Sequence, residues 1–188
     1  MTVHSTNTFG RQRSLWRTDV RSIVGSVLFG VLMVLIVGLG DRVDASLTGG
    51  ALPIFGGTTW AITMALSALL FGLPGAIIAG EIQALMDLAL GVPLAPAFFA
   101  ANAAGPLVFA LVAHCWPPRS RLHHLLALVP AVLLGNLCVA AFLHFAFRLP
   151  LAVIVPSVGG VVVVSTIVAA LCVPSLADAI GRSRTLAR

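Results

Sequence analysis

The sequence predicts an all-α integral membrane protein: six transmembrane helices, with both termini on the cytoplasmic side. Three observations carry this. The chain of 188 residues is 59% hydrophobic and 9% charged, whereas a soluble domain is ~45–50% apolar and ~25% charged. Its apolar runs are continuous, not alternating, which disfavours a transmembrane barrel, and at ~20 residues per crossing they allow about six helices. The basic residues are eleven arginines and no lysine, and they sit at the ends and turns of the apolar runs.

Taken in order, residues 1–20 read as a polar cytoplasmic tail rich in Ser, Thr and Arg. Residues 21–181 form the membrane domain, and 182–188 a short basic tail. The first span reads Ser22 to Gly40, and Asp41, Arg42 and Asp44 open a loop. Residues 45–57, rich in glycine, are expected to lie at the membrane surface or dip into it. The second span is Thr58 to Phe71, followed by a tight turn at Gly72-Leu73-Pro74-Gly75. The third is Gly75 to Leu90, ended by Gly91 and Pro93. The fourth runs from Ala97 to Trp116 and stops at Pro117-Pro118. The fifth runs from His123 to Phe147, with Arg148 and Pro150 at its exit. The sixth runs from Leu151 to Ile180, with Pro156 and Pro174 as kinks.

With six spans both termini share a side. That side carries Arg11, Arg13, Arg17, Arg21, Arg119, Arg121, Arg182, Arg184 and Arg188, and the other only Arg42 and Arg148. A split of nine against two places the termini in the cytoplasm. The net charge of +5 forms no basic patch interleaved with aromatics, so nucleic acid is excluded as a partner. Cys115, Cys138 and Cys172 are far apart within apolar runs and read as small packing residues, without zinc-ligand spacing. His114, His123 and His124, with Arg119 and Arg121, read as a basic edge facing lipid headgroups rather than a metal site. The polar, basic start, with no small-residue cleavage site after the first apolar run, leads us to expect no cleaved signal peptide. No GxSxG, HExxH or P-loop pattern is present, so enzyme chemistry and ATP hydrolysis by this chain are not expected.

The third span carries two acids, Glu81 and Asp87. A charge at that depth costs ~2.5–3.5 kcal/mol on insertion scales, so each stands either for a ligand contact or for an interhelical clamp. They lie roughly 9 and 18 Å from the cytoplasmic start of their helix. They are about 120° apart around its axis, so they make no carboxylate pair, whereas Gln83 shares a face with Asp87. Thr58, Thr59 and Trp60 open the second span, Asn102 lies in the first turns of the fourth, Asn136 is near the middle of the fifth and His144 near its end. Trp60 is either a membrane-interface anchor or a stacking surface for a flat cationic ring. Asn102, Asn136 and His144 are either interhelical hydrogen-bonding groups or pocket contacts. Ser22, Ser26 and Gly30, spaced by four with Gly25 nearby, make a small-residue stripe suited to close helix approach, within the chain or to a partner.

This layout resembles the substrate-binding (S) components of energy-coupling factor (ECF) vitamin transporters. From Gly57 to Pro93 the match is closer. Trp60, then Leu73-Pro74-Gly75-Ala76, then Glu81-Ile82, the further acid Asp87 and Gly91-Val92-Pro93 resemble the YkoE-type branch, associated with thiamine and its hydroxymethylpyrimidine precursor. The resemblance implies a bacterial plasma-membrane protein that captures a small vitamin-like molecule from outside. It would hand that molecule to a transmembrane coupling subunit driven by two ABC ATPases, which use the ATP; no cofactor is expected in this chain. The implied ligand contacts are Trp60, Glu81, Asp87, Asn102 and His144, under a lid at 41–57. The implied partner-docking residues are Ser22, Ser26 and Gly30. Two other readings stand beside it: a small integral-membrane enzyme built on Glu81, Asp87 and a histidine, or a structural or assembly membrane protein without a ligand.

Overall fold

The computed structural model describes residues 15–49, 52–116 and 120–186. The tail up to residue 14 and the turn at 117–119 lie outside the described residues. Among the described residues there are five helices: α1 (Val20–Thr48), α2 (Ile54–Ala89), α3 (Ala95–Cys115), α4 (Arg121–Phe147) and α5 (Leu151–Leu186). All five are long and apolar enough to cross a membrane.

α1 begins where Asp19 caps it. The Asp19 carboxylate accepts Ser22 N–H at 3.1 Å and Ser22 Oγ–H at 2.7 Å. These hydrogen bonds hold its carboxyl below the usual range. The helix does not stop at Gly40 as the sequence suggested. It continues through Asp41, Arg42 and Asp44 to Thr48 and ends at Gly49, which adopts the left-handed conformation with φ 63°. Most of the expected surface loop of 41–57 is therefore helical, with α1 reaching Thr48 and α2 starting at Ile54. The reason is Asp44: it is 3% exposed, and its carboxylate accepts the N–H groups of Phe55 at 3.0 Å and Gly56 at 2.8 Å. A charged residue that marks a loop in sequence here satisfies the free amides at the start of the next helix.

α2 is broken at Gly72, whose φ of 76° and ψ of −176° fall outside the helical region. Both segments lie along α1. Asp44 meets Gly56 and Gly25 meets Phe71, so 54–71 runs antiparallel to α1. Gly75 meets Ser26 and Gly30 meets Ala79, so 73–89 runs parallel to it. The chain therefore reverses at Gly72, and each segment is about 26 Å long at 1.5 Å per residue. Residues ahead of α1 hold the reversal: Leu73 N–H donates to the Leu15 carbonyl at 2.9 Å, and Arg17 Nη1 donates to that of Leu70 at 3.0 Å. A Cβ at Gly72 would lie 2.9 Å from the Leu15 carbonyl oxygen, so both the dihedral and the space call for glycine.

The core lies between the first segment of α2 and helices α3, α4 and α5. Met64, Phe109, Leu128, Val132 and Val173 fill it, with Ala61, Ala65, Ala127, Ala131 and Ala169 between them. Small residues at these contacts bring the backbones close. α4 is capped by Ser120 and ends at Arg148, a non-glycine residue at φ 58°. α5 carries Pro156 and Pro174 and continues past the expected Ile180 to Leu186. Leucines and valines such as Leu28, Leu35, Leu39, Leu85, Val155 and Val163 stand exposed on the helix surfaces. Such an outer face suits hydrocarbon, where burial against lipid replaces burial against protein.

Candidate ligand site at the Asp87 end

Four side chains form one connected hydrogen-bonded relay. Trp60 Nε1–H donates to Asn102 Oδ1 at 2.6 Å. Asn102 Nδ2 donates to the Gly80 carbonyl at 2.6 Å and to Gln83 Oε1 at 2.9 Å. Gln83 Nε2 then donates to Asp87 Oδ2. The relay starts in the first segment of α2, crosses α3 and returns to the second segment of α2. It reaches that segment because Gly80 is bare where the Asn102 side chain seats: a Cβ there would lie 2.7 Å from Asn102 Cβ.

Trp60 is held at both ends. Its Nε1 is bound to Asn102, and its far ring edge is wedged between Gly105 of α3 and Gly135 of α4. A Cβ at Gly105 would stand 3.1 Å from Trp60 Cη2, and one at Gly135 would overlap the ring. The residue is only half-buried. It is thus part of the helix packing, and what remains of its ring is all that could meet a ligand.

Asp87 stands at the end of α2 where two more carboxylates gather. Asp44 is occupied by the amides of Phe55 and Gly56. Asp41 lies against Gly56 and within electrostatic reach of both Asp44 and Asp87. The sequence marks Asp41 and Asp44 as loop residues, and nothing in it signals their approach to Asp87. Their spacing of three on α1 would have placed them on one face only if that helix had been expected to continue. An end of the bundle lined by acceptors and anionic groups suits a ligand that brings N–H donors or positive charge.

The other expected residues lie apart from the relay. Glu81 is half-buried on a different face of α2, and among the described residues no hydrogen bond or ion pair falls on it. Asn136 Nδ2 donates to the Val132 carbonyl of its own helix at 2.9 Å. His144 Nδ1 pairs with the Leu149 carbonyl at 3.0 Å and its ring meets the edge of Phe145, so it closes the end of α4. The small-residue stripe is taken up inside the chain. Ser26 is 0% exposed, and its Oγ donates to the Ser22 carbonyl at 2.6 Å. A Cβ at Gly30 would lie 2.7 Å from the Ala79 carbonyl oxygen. Ser26 and Gly30 therefore seat the second segment of α2, while Ser22 is buried with its hydroxyl on Asp19, and the open face of α1 is the one bearing Val24, Leu28, Leu35 and Leu39. A groove of about 350 Å³ opens at the opposite end of the bundle, lined by Arg17, Arg21, Phe29 and Phe71 among others. No group of three or more His, Cys, Asp or Glu side chains among the described residues is placed to hold a metal ion.

A chain whose described residues hold five helices long and apolar enough to cross a membrane is a multi-pass membrane protein. Its fold is that of an S component: it is similar to the crystal structure of an S-component of an ECF transporter, with a TM-score of 0.59 and 18% sequence identity, over 90% of this chain and 88% of that one. No family model and no curated protein matches the chain.

Proposed function

We propose that this chain is the substrate-capture subunit of an ECF-type importer for a small vitamin or vitamin precursor, thiamine or hydroxymethylpyrimidine in the first instance. Transport changes no covalent bond in the substrate, and the ATP is used by two partner ATPases acting through a membrane coupling subunit. If each segment of α2 is one crossing, the layout is six spans with both termini in the cytoplasm of a bacterial cell. The arginine split supports that orientation. The Asp87 end then faces outside, because 73–89 starts beside Ser26 and runs parallel to α1.

The observation that carries this reading is the relay that begins at Trp60 and ends on Asp87, within electrostatic reach of Asp41, on an S-component fold. Carboxylates inside an apolar bundle are tolerated chiefly where they meet a partner or a cavity. Asp87 anchors the ligand's charged or donor group. The open part of the Trp60 ring and the half-buried Glu81 complete the contacts, with Asn102 acting from behind and His144 at the rim. Native mass spectrometry of the purified protein tests for a co-purified vitamin. Calorimetry with thiamine, hydroxymethylpyrimidine, riboflavin and biotin then ranks the four. Binding of thiamine or hydroxymethylpyrimidine, weakened roughly tenfold or more by Asp87→Asn, is the expected result. Tight biotin binding that Asp87→Asn leaves unchanged overturns it.

A further inference from the structure

The direction of the relay is fixed by chemistry at one end. An indole N–H can only donate, so the Asn102 atom that meets Trp60 is the acceptor Oδ1. The other end of that amide, Nδ2, is then a donor, and Gln83 answers it with Oε1. This leaves Gln83 Nε2 facing Asp87, whose carboxylate accepts. Asn102 and Gln83 are 1% and 2% exposed. Reversing either amide would set buried donors against donors, so each is locked in one of its two orientations. The terminal group has to be an acceptor, and it stands four residues after Gln83 on the same helix face.

We propose that Gln83 is a positioning residue for ligand binding. Held by Asn102 and Trp60, it occupies Oδ2 of Asp87, fixes the plane of that carboxylate and leaves Oδ1 to take an N–H donor from the ligand. This rests on the proposed ligand site. The relay selects by polarity: an amine, amidine or aminopyrimidine edge finds an acceptor waiting, whereas a carboxylate finds another carboxylate. Gln83 is too deeply buried to reach the ligand itself, so its effect passes through Asp87.

Two measurements on the full-length protein in detergent test this. The first needs no ligand. Gln83→Glu keeps the acceptor towards Asn102 but turns two anionic groups on each other, and should lower the melting temperature by several degrees. Adding Asp87→Asn supplies a donor to Glu at 83 and should recover most of that loss, a rescue that packing alone does not give. The second is thiamine calorimetry. Gln83→Met, which fills the space without a donor, should weaken thiamine roughly tenfold with Asp87 intact, and the rescued double variant should stay weak because the carboxylate has moved. No rescue in the first measurement overturns the relay. Wild-type thiamine affinity in Gln83→Met overturns the positioning role. A wild type that binds none of the four vitamins overturns the ligand reading instead, and the melting cycle then decides the relay on its own.

Discussion

Asp44 Oδ2 accepts the backbone N–H of Gly56 at 2.8 Å, joining the last turns of α1 to the first turn of α2 across twelve residues of chain. The second oxygen of the carboxylate takes the N–H of Phe55. One buried side chain thereby closes the link between two helices and brings Asp41 to the same end as Asp87.

Removing that cap should be costly. Loss of an N-cap side chain costs ~1 kcal/mol, and buried amides left without a partner add ~1–3 kcal/mol. Asp44→Ala should therefore lower the melting temperature in detergent clearly, and Asp44→Asn, which keeps one of the two acceptor oxygens, should lower it less. Equal melting of wild type and Asp44→Ala would show that the amides find other acceptors.

Gly72 is the residue at which α2 reverses. Gly72→Ala forces a side chain onto φ 76° and towards the Leu15 carbonyl. A residue held there costs on the order of 1–3 kcal/mol. Gly38→Ala, in open space on α1, should be neutral or slightly stabilising because alanine is the better helix former. Thermal unfolding of the two variants side by side checks the contrast.

Gly30→Leu should prevent proper folding, since its side chain meets the Ala79 carbonyl and Ile82 inside the same chain. The expected result is loss of the monodisperse peak in size-exclusion chromatography. A variant that melts like wild type, yet no longer associates with a coupling subunit, would return this stripe to the partner face.

Arginine placement predicts the orientation. A cysteine at Ser120, in a background without Cys115, Cys138 and Cys172, should react with a membrane-impermeant maleimide only after the cells are opened. One at Gly49 should react on intact cells. Reaction at position 120 from outside would reverse the assignment.

Trp60 gives a further check on packing. A Cβ at Gly135 would overlap its ring, so Gly135→Ala should displace the indole and lower both stability and thiamine affinity. Gly159→Ala, with nothing within 4 Å, should change neither. Intrinsic fluorescence, with Trp16 and Trp116 replaced by phenylalanine, reads the displacement directly.

The sequence by itself determined that this is a bundle of long apolar helices, because hydropathy and length act locally along the chain. It also placed most helix ends, at Pro93, Arg148 and Pro150, and the reversal around Gly72, where glycine and proline restrict the backbone whatever surrounds them. It put Gln83 and Asp87 on one face through a spacing of four. Only the tertiary structure decided which polar residues meet. Asn102 joined Trp60 to Gln83 while His144 and Asn136 turned back to their own chain segments, although Asn102, Asn136 and His144 are alike single polar residues in apolar runs. α1 ran on through Asp41 and Asp44 because the acceptor that Asp44 provides is needed by amides eleven and twelve residues away. The small-residue stripe went to α2 because that helix returns alongside α1 after its break. Each of these outcomes depends on contacts between residues distant in sequence, where hydropathy and helical periodicity carry no information.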